Sequence, residues 1–232
     1  MAARGRRLIL VRHSLPKFVT GVPANQWRLS DEGRCRCQPL AERLAGYQPT
    51  AVISSTEPKA IETGEICASL LGLAIETAAG LHELQRGVVR NMGSKEEFEA
   101  QVRRFFEQPD QLVFGNETAD QAHARFSTAV AGVTARHATG HLSLVSHGTV
   151  MTLFIARAID LDPMPFWRSL GLPALVVLSL PRIRLLDLVT EIEGGPCMMQ
   201  WRPPPEPAVL VSLSPRLYEA PKRSILSPCL KS

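Results

Sequence analysis

Two short apolar runs, far apart in the chain, each end in a histidine, and they restrict the fold more than any other feature of the sequence. Leu8-Ile9-Leu10-Val11 leads into Arg12-His13-Ser14, and His141-Leu142-Ser143-Leu144-Val145 leads into Ser146-His147-Gly148. Runs this brief are too short for helices and read as strands buried on both faces. A sheet buried on both faces must be covered by helices, and its ligands bind at the carboxyl ends of its strands. If the two strands are neighbours, His13 and His147 share one crevice.

The rest of the chain fits that frame. Ser30 before Asp31 and Glu32, with Leu40, Ala41, Leu44 and Ala45 at helical spacing, predicts a capped amphipathic helix ending near Gly46. Residues 50–53 predict a strand, Glu57-Pro58 opens a helix that Gly72 stops, and residues 73–77 predict another strand. Helices follow over residues 94–108, 118–138 and 149–159, with strands over 141–145, 175–180 and 184–189. Phe166, Trp167 and Leu170 read as a packing patch. The alternation predicts an α/β fold, a three-layer sandwich with a mostly parallel sheet flanked by helices.

With 232 residues and 45% hydrophobic side chains, the chain can fill one such core. We assign residues 1–193 to a single catalytic domain. Residues 194–232 hold eight of the eighteen prolines, including Pro203-Pro204-Pro205, and read as a disordered tail that could dock a protein partner. That stretch also carries +3 of the net charge of +4, which leaves the body close to neutral. A neutral body argues against a nucleic-acid surface, which needs a broad basic face.

Five cysteines without C-x-x-C spacing suggest neither a disulfide framework nor a zinc site, and a reducing, cytoplasmic setting fits them. The basic start Arg4-Gly5-Arg6-Arg7 precedes an apolar run that Arg12 interrupts too early for a secretory leader. The longest apolar stretch, residues 172–180, is less than half a membrane span, so no membrane partner is expected. His137 and His141 are four apart, but Gly140 breaks the helix between them and no carboxylate joins them, so no metal or cofactor is assigned.

Two further strand ends bring chemistry to the same edge. Ile53-Ser54-Ser55 precedes a helix with Lys59 in its first turn, and Leu81-His82-Glu83-Leu84 puts a carboxylate in the segment after the third strand. Cations, small hydroxyls and imidazoles at one edge favour oxyanion chemistry, with a carboxyl as proton donor.

These segments resemble the histidine phosphatase superfamily, which includes cofactor-dependent phosphoglycerate mutases, fructose-2,6-bisphosphatases and phytases. Leu10-Val11-Arg12-His13-Ser14 is similar to its nucleophile motif, and the ten residues from Ser54 to Thr63 are similar to its second phosphate-binding motif. Leu81-His82-Glu83 resembles its acid-bearing loop, Ser146-His147-Gly148 its second histidine motif, and Gly115-Asn116-Glu117-Thr118 a further family segment. The resemblance implies a phosphoglycerate mutase-like fold over residues 6–190. It also implies His13 as nucleophile, Glu83 as acid and base, and Arg12, Lys59 and His147 as the groups that spread positive charge over the phosphoryl oxygens. Ser55, His82 and Arg86 complete the candidates, Arg86 as a contact beyond the phosphate.

Two positions depart from the family pattern. Ser14 stands where glycine is usual, and is expected to turn its backbone N–H toward phosphate. Lys59 stands where arginine is usual, which keeps the charge but loses the forked grip of a guanidinium. The expected activity is metal-independent hydrolysis of a small phosphorylated metabolite through phosphohistidine. Alternatives are a mutase-type transfer, or a weakly active binding module in which Lys59 marks a lapsed site. A homodimer is left open.

Overall fold

The computed structural model describes residues 5–86 and 94–194. The tail expected to be disordered falls outside them, Gly194 apart. In chain order the elements are β1 (Arg6–Arg12), a 3-10 turn (Ala24–Gln26), α1 (Asp31–Ala45), β2 (Pro49–Ser54), α2 (Pro58–Leu71), β3 (Ile75–Thr77) and α3 (Lys95–Glu107). Then come α4 (Ala119–Arg136), β4 (His141–Ser146), α5 (Gly148–Ile159), α6 (Pro163–Ser169), β5 (Ala174–Leu180) and β6 (Leu185–Val189).

The six strands form one sheet in the order β3-β2-β4-β1-β5-β6. The first four run parallel, while β5 pairs antiparallel with β1 and β6 antiparallel with β5. The mostly parallel α/β sheet expected from the alternation is present, with β4 directly beside β1. The antiparallel pairing of β6 with β5 follows from the short Pro181 turn, which can only return the chain alongside the strand it left.

Alternate residues of β1 serve two different cores, which explains its unbroken apolar run. Leu8 and Leu10 pack with Phe126, Val150 and Ile155 on one face, whereas Ile9 and Val11 pack with Leu40, Leu44 and Ile66 on the other. All four β1 side chains are fully buried.

Local chemistry sets the helix ends. The Ser30 side chain accepts the Gly33 N–H, and Thr118 with Gln121 forms a reciprocal capping box. Pro58 starts α2, and Gly72 ends it in a left-handed conformation at φ 66°. Helix α6 is additional to the sequence reading, and it carries the anticipated packing patch. Phe166 and Leu170 join the main core, while Trp167 packs with Val102 and Met164. Cys37 and Cys67 are buried thiols, and Cys35 is disulfide-bonded, a crosslink that the cysteine spacing, read as suggesting no disulfide framework, did not point to. No helix among the described residues is long and apolar enough to cross a membrane.

The segment joining β1 to α1 is held by close backbone contact. A Cβ on Gly33 would stand 2.1 Å from the Leu15 carbonyl oxygen, and the same carbonyl accepts the Ser30 N–H at 3.0 Å. Gly33→Ala must push that loop away from α1. It is expected to cost about 1–3 kcal/mol in urea unfolding, the usual range for overpacking; a stability equal to the wild type would show that the loop yields freely.

Candidate active site

The ladder between β1 and β4 continues one residue past the end of β1. Arg12 is paired with Ser146, and the His13 N–H then donates to the Ser146 carbonyl at 2.9 Å. On the other side of β4, the Ser55 N–H donates to the Val145 carbonyl at 2.8 Å. Three strand ends are thereby locked side by side. The rings of His13 and His147 meet edge to face with centroids 5.1 Å apart.

The Nδ1 of His13 lies 2.7 Å from the Ser14 carbonyl oxygen, which can only accept, so Nδ1 carries the proton and Nε2 keeps its lone pair. The ring is buried, and burial, followed by the nearby Lys59 charge, holds its pKa well below 6.5. His147 is fully enclosed, with Nε2 2.8 Å from the Ser55 hydroxyl and Nδ1 buried without a partner among the described residues. Burial, then Lys59 and His13, also keep its pKa well below 6.5. His147 is therefore a neutral hydrogen-bonding group, and the positive charge expected from it rests on Arg12 and Lys59.

The Arg12 guanidinium donates to the Leu170 carbonyl, and its Nε is buried without a partner among the described residues. Burial lowers its pKa to about 10, against the opposing pull of Glu83, so it stays charged at neutral pH. Glycine at position 148 makes room for it: a Cβ there would meet Arg12 Nε at 2.9 Å and Cζ at 3.0 Å.

Lys59 is 5% exposed, donates to the Ala24 carbonyl at 2.7 Å and is ion-paired with Glu57. Glu57 was read from the sequence only as a helix-start residue. It is in fact a hub: its carboxylate also accepts the Glu83 N–H at 2.8 Å and lies 3.5 Å from His147 Nε2. The available signal was its place in the second motif, two residues before Lys59.

Glu83 accepts the Thr149 N–H at 2.9 Å and the Leu84 N–H at 3.1 Å, which sets its carboxylate against the first turn of α5. Its loop is held from behind. Arg125 on α4 donates to the carbonyls of Gly80 (2.7 Å) and His82 (2.9 Å) and pairs with Glu117, and the Ser146 hydroxyl donates to the Leu81 carbonyl at 2.7 Å. The Gly115-to-Thr118 segment thus supports the acid loop through Glu117.

Ser14 does not match its expected role. Its N–H donates to Thr63 Oγ1 at 3.0 Å and its hydroxyl to the Gly33 carbonyl at 2.7 Å, so both donors are engaged inside the protein. Thr63, absent from the sequence candidates, in turn donates to the Lys59 carbonyl at 2.7 Å. Half-buried His82 has its pKa lowered, first by burial and then by Arg125. Arg86 is exposed, with its guanidinium 4.6 Å from the centre of the Phe98 ring. No group of three or more His, Cys, Asp or Glu among the described residues could hold a metal ion. A surface hollow lined by Phe106, Leu153, Arg157 and Leu161 includes none of the site residues.

Residues 8–182 match the sequence pattern of the histidine phosphatase superfamily (branch 1). Among solved structures, a mycobacterial glucosyl-3-phosphoglycerate phosphatase superposes with a TM-score of 0.63 at 22% identity, covering 81% of this chain and 99% of that one. A phosphoserine phosphatase mutant from Entamoeba histolytica, complexed with phosphoserine, gives 0.64 at 15% identity, covering 80% and 97%. The alpha-ribazole phosphatase from Shigella flexneri gives 0.62 at 18% identity, covering 82% and 98%. No curated protein matches the chain.

Two imidazoles buried in the neutral form tie stability to pH. Unfolded, each titrates near 6.5; folded, each resists protonation to well below that. Below pH 6.5 the unfolded chain therefore binds more protons, and each imidazole removes up to about 1.4 kcal/mol of stability per pH unit as pH falls. Urea midpoints between pH 6.5 and 5 are expected to drop more steeply for the wild type than for a His13→Gln/His147→Gln double variant. Equal slopes would mean that burial does not hold these rings neutral.

Proposed function

Given that the chain belongs to the histidine phosphatase superfamily, we propose that it is a phosphoric monoester hydrolase that passes a phosphoryl group from a small phosphorylated substrate to water by way of His13. The observation that carries this reading is the state of His13. Its Nδ1 is engaged by the Ser14 carbonyl, which leaves the Nε2 lone pair without a hydrogen bond among the described residues, and the His147 ring stands 5.1 Å away, centroid to centroid, so one phosphate can touch both.

In the first step His13 Nε2 attacks phosphorus in line with the ester oxygen. The P–N bond forms, the P–O bond breaks, and the Glu83 carboxyl gives its proton to the departing alkoxide. Arg12 and Lys59 offer fixed positive charge to the phosphoryl oxygens and His147 a hydrogen bond, all in place before charge moves. In the second step the Glu83 carboxylate takes a proton from water as water attacks phosphorus, the P–N bond breaks, and orthophosphate leaves with His13 neutral again. Side-chain cations supply the charge stabilisation, so no metal ion enters the scheme. The glucosyl-3-phosphoglycerate, phosphoserine and alpha-ribazole phosphatases of the same fold support a phosphatase reading. A mutase-type transfer would share the first step and differ only in returning the phosphoryl group to an organic acceptor.

Turnover of p-nitrophenyl phosphate is expected to persist in EDTA and to disappear in His13→Ala. Protein quenched at alkaline pH during turnover should carry a phosphate on His13 that acid removes. Glu83→Gln should slow alkyl phosphates by about 10²–10⁴, the usual worth of a general acid, and p-nitrophenyl phosphate less, because nitrophenolate leaves without a proton. Turnover in His13→Ala, or its abolition by chelation, would overturn this scheme.

A further inference from the structure

The site contains two carboxylates, and the reaction above uses one. Glu57 is 5% exposed and sits among groups meant for an anion. Burying a carboxylate there costs free energy unless it is paired, and it repels the phosphate that the pocket must hold. Its contacts give it two tasks. One carboxylate oxygen accepts the N–H of the peptide that carries Glu83, at 2.8 Å, and the other is paired with the Lys59 ammonium. Lys59 also donates to the Ala24 carbonyl at 2.7 Å, so two of the three ammonium donors are engaged within the protein and one is left for a ligand oxygen.

The charge count points the same way. Since both imidazoles are neutral, Arg12 and Lys59 are the two buried cations that would face a phosphate, besides exposed Arg86, whose charge also reaches Arg12 and His13. Glu57 offsets one of them.

We infer that Glu57 is a positioning residue: it tethers Lys59 and the Glu83 peptide, and by offsetting one of the two fixed cations it keeps the hold on orthophosphate weak enough for product to leave. This inference rests on the phosphatase reading, because only a site that must release orthophosphate on every turnover gains from a weakened grip.

The probe is inorganic phosphate, with affinity measured by calorimetry so that no turnover is needed. Glu57→Gln keeps an oxygen to accept the Glu83 N–H but removes the charge. It is expected to bind phosphate at least about tenfold more tightly, equivalent to about 1.4 kcal/mol, and to lower KM in parallel. Lys59→Met leaves the Glu57 charge facing the ligand and is expected to weaken phosphate by a similar factor. Removing both restores the original net charge, so the Glu57→Gln/Lys59→Met variant should return to within about threefold of the wild type on the same scale. Glu57→Leu, which also loses the acceptor, should lower kcat toward alkyl phosphates below that of Glu57→Gln. Phosphate affinity in a folded Glu57→Gln protein that is unchanged or weaker overturns the inference. Should Glu57→Gln fail to fold, unchanged affinity in Lys59→Met overturns it equally. A wild type without phosphatase activity would instead sink the reaction proposed above, while the binding comparison would still decide whether Glu57 restrains Lys59.

Discussion

The parallel pairing of β1 with β4 is the constraint on which the rest of the site depends. Strand registers are discrete, because a slip by one residue turns every side chain to the opposite face. Here each β1 side chain from Leu8 to Val11 is committed to a particular core, so the register cannot slide. Arg12 must then lie beside Ser146, and the residues that follow, His13 and His147, emerge together. The imidazole pair is a product of hydrophobic burial some residues away rather than of any attraction between the rings.

Burial also sets the electrostatics. Taking two imidazoles out of water keeps them neutral, which suits one as a nucleophile and leaves the other a hydrogen-bonding group. Arg12 resists the same pressure because guanidinium is so basic that burial lowers it only to about 10. Lys59 is ion-paired with Glu57. The site thus sets two imidazoles that burial discharges beside a guanidinium that stays ionised in spite of it.

Most element boundaries were legible in the sequence because their causes are local. Ser30, Pro58, Gly72 and Thr118 each cap or stop a helix through bonds made within a few residues. Helix α6 was not, since its seven residues include Pro163 and Pro165, which weaken any helical pattern. Both prolines fall in the first turn, where backbone N–H groups have no partner inside the helix, so they are tolerated there. His13, His147, Lys59 and Glu83 could be found because strand ends and helix starts mark them. Glu57 was not singled out and Ser14 was given a phosphate contact it does not make, because their roles depend on which distant group their atoms meet. Whether the Ser14 N–H faces a ligand is decided by Thr63, forty-nine residues later on α2.

The reversal of strand direction at β5 brings a segment with no motif to the catalytic edge. Because β5 runs against β1, with Ala174 opposite Arg12, the turn that leads into it arrives beside Arg12 and His13 and supplies the Leu170 carbonyl that steadies Arg12. Insertions or deletions between α6 and β5 would therefore re-aim the guanidinium while every signature residue stayed the same.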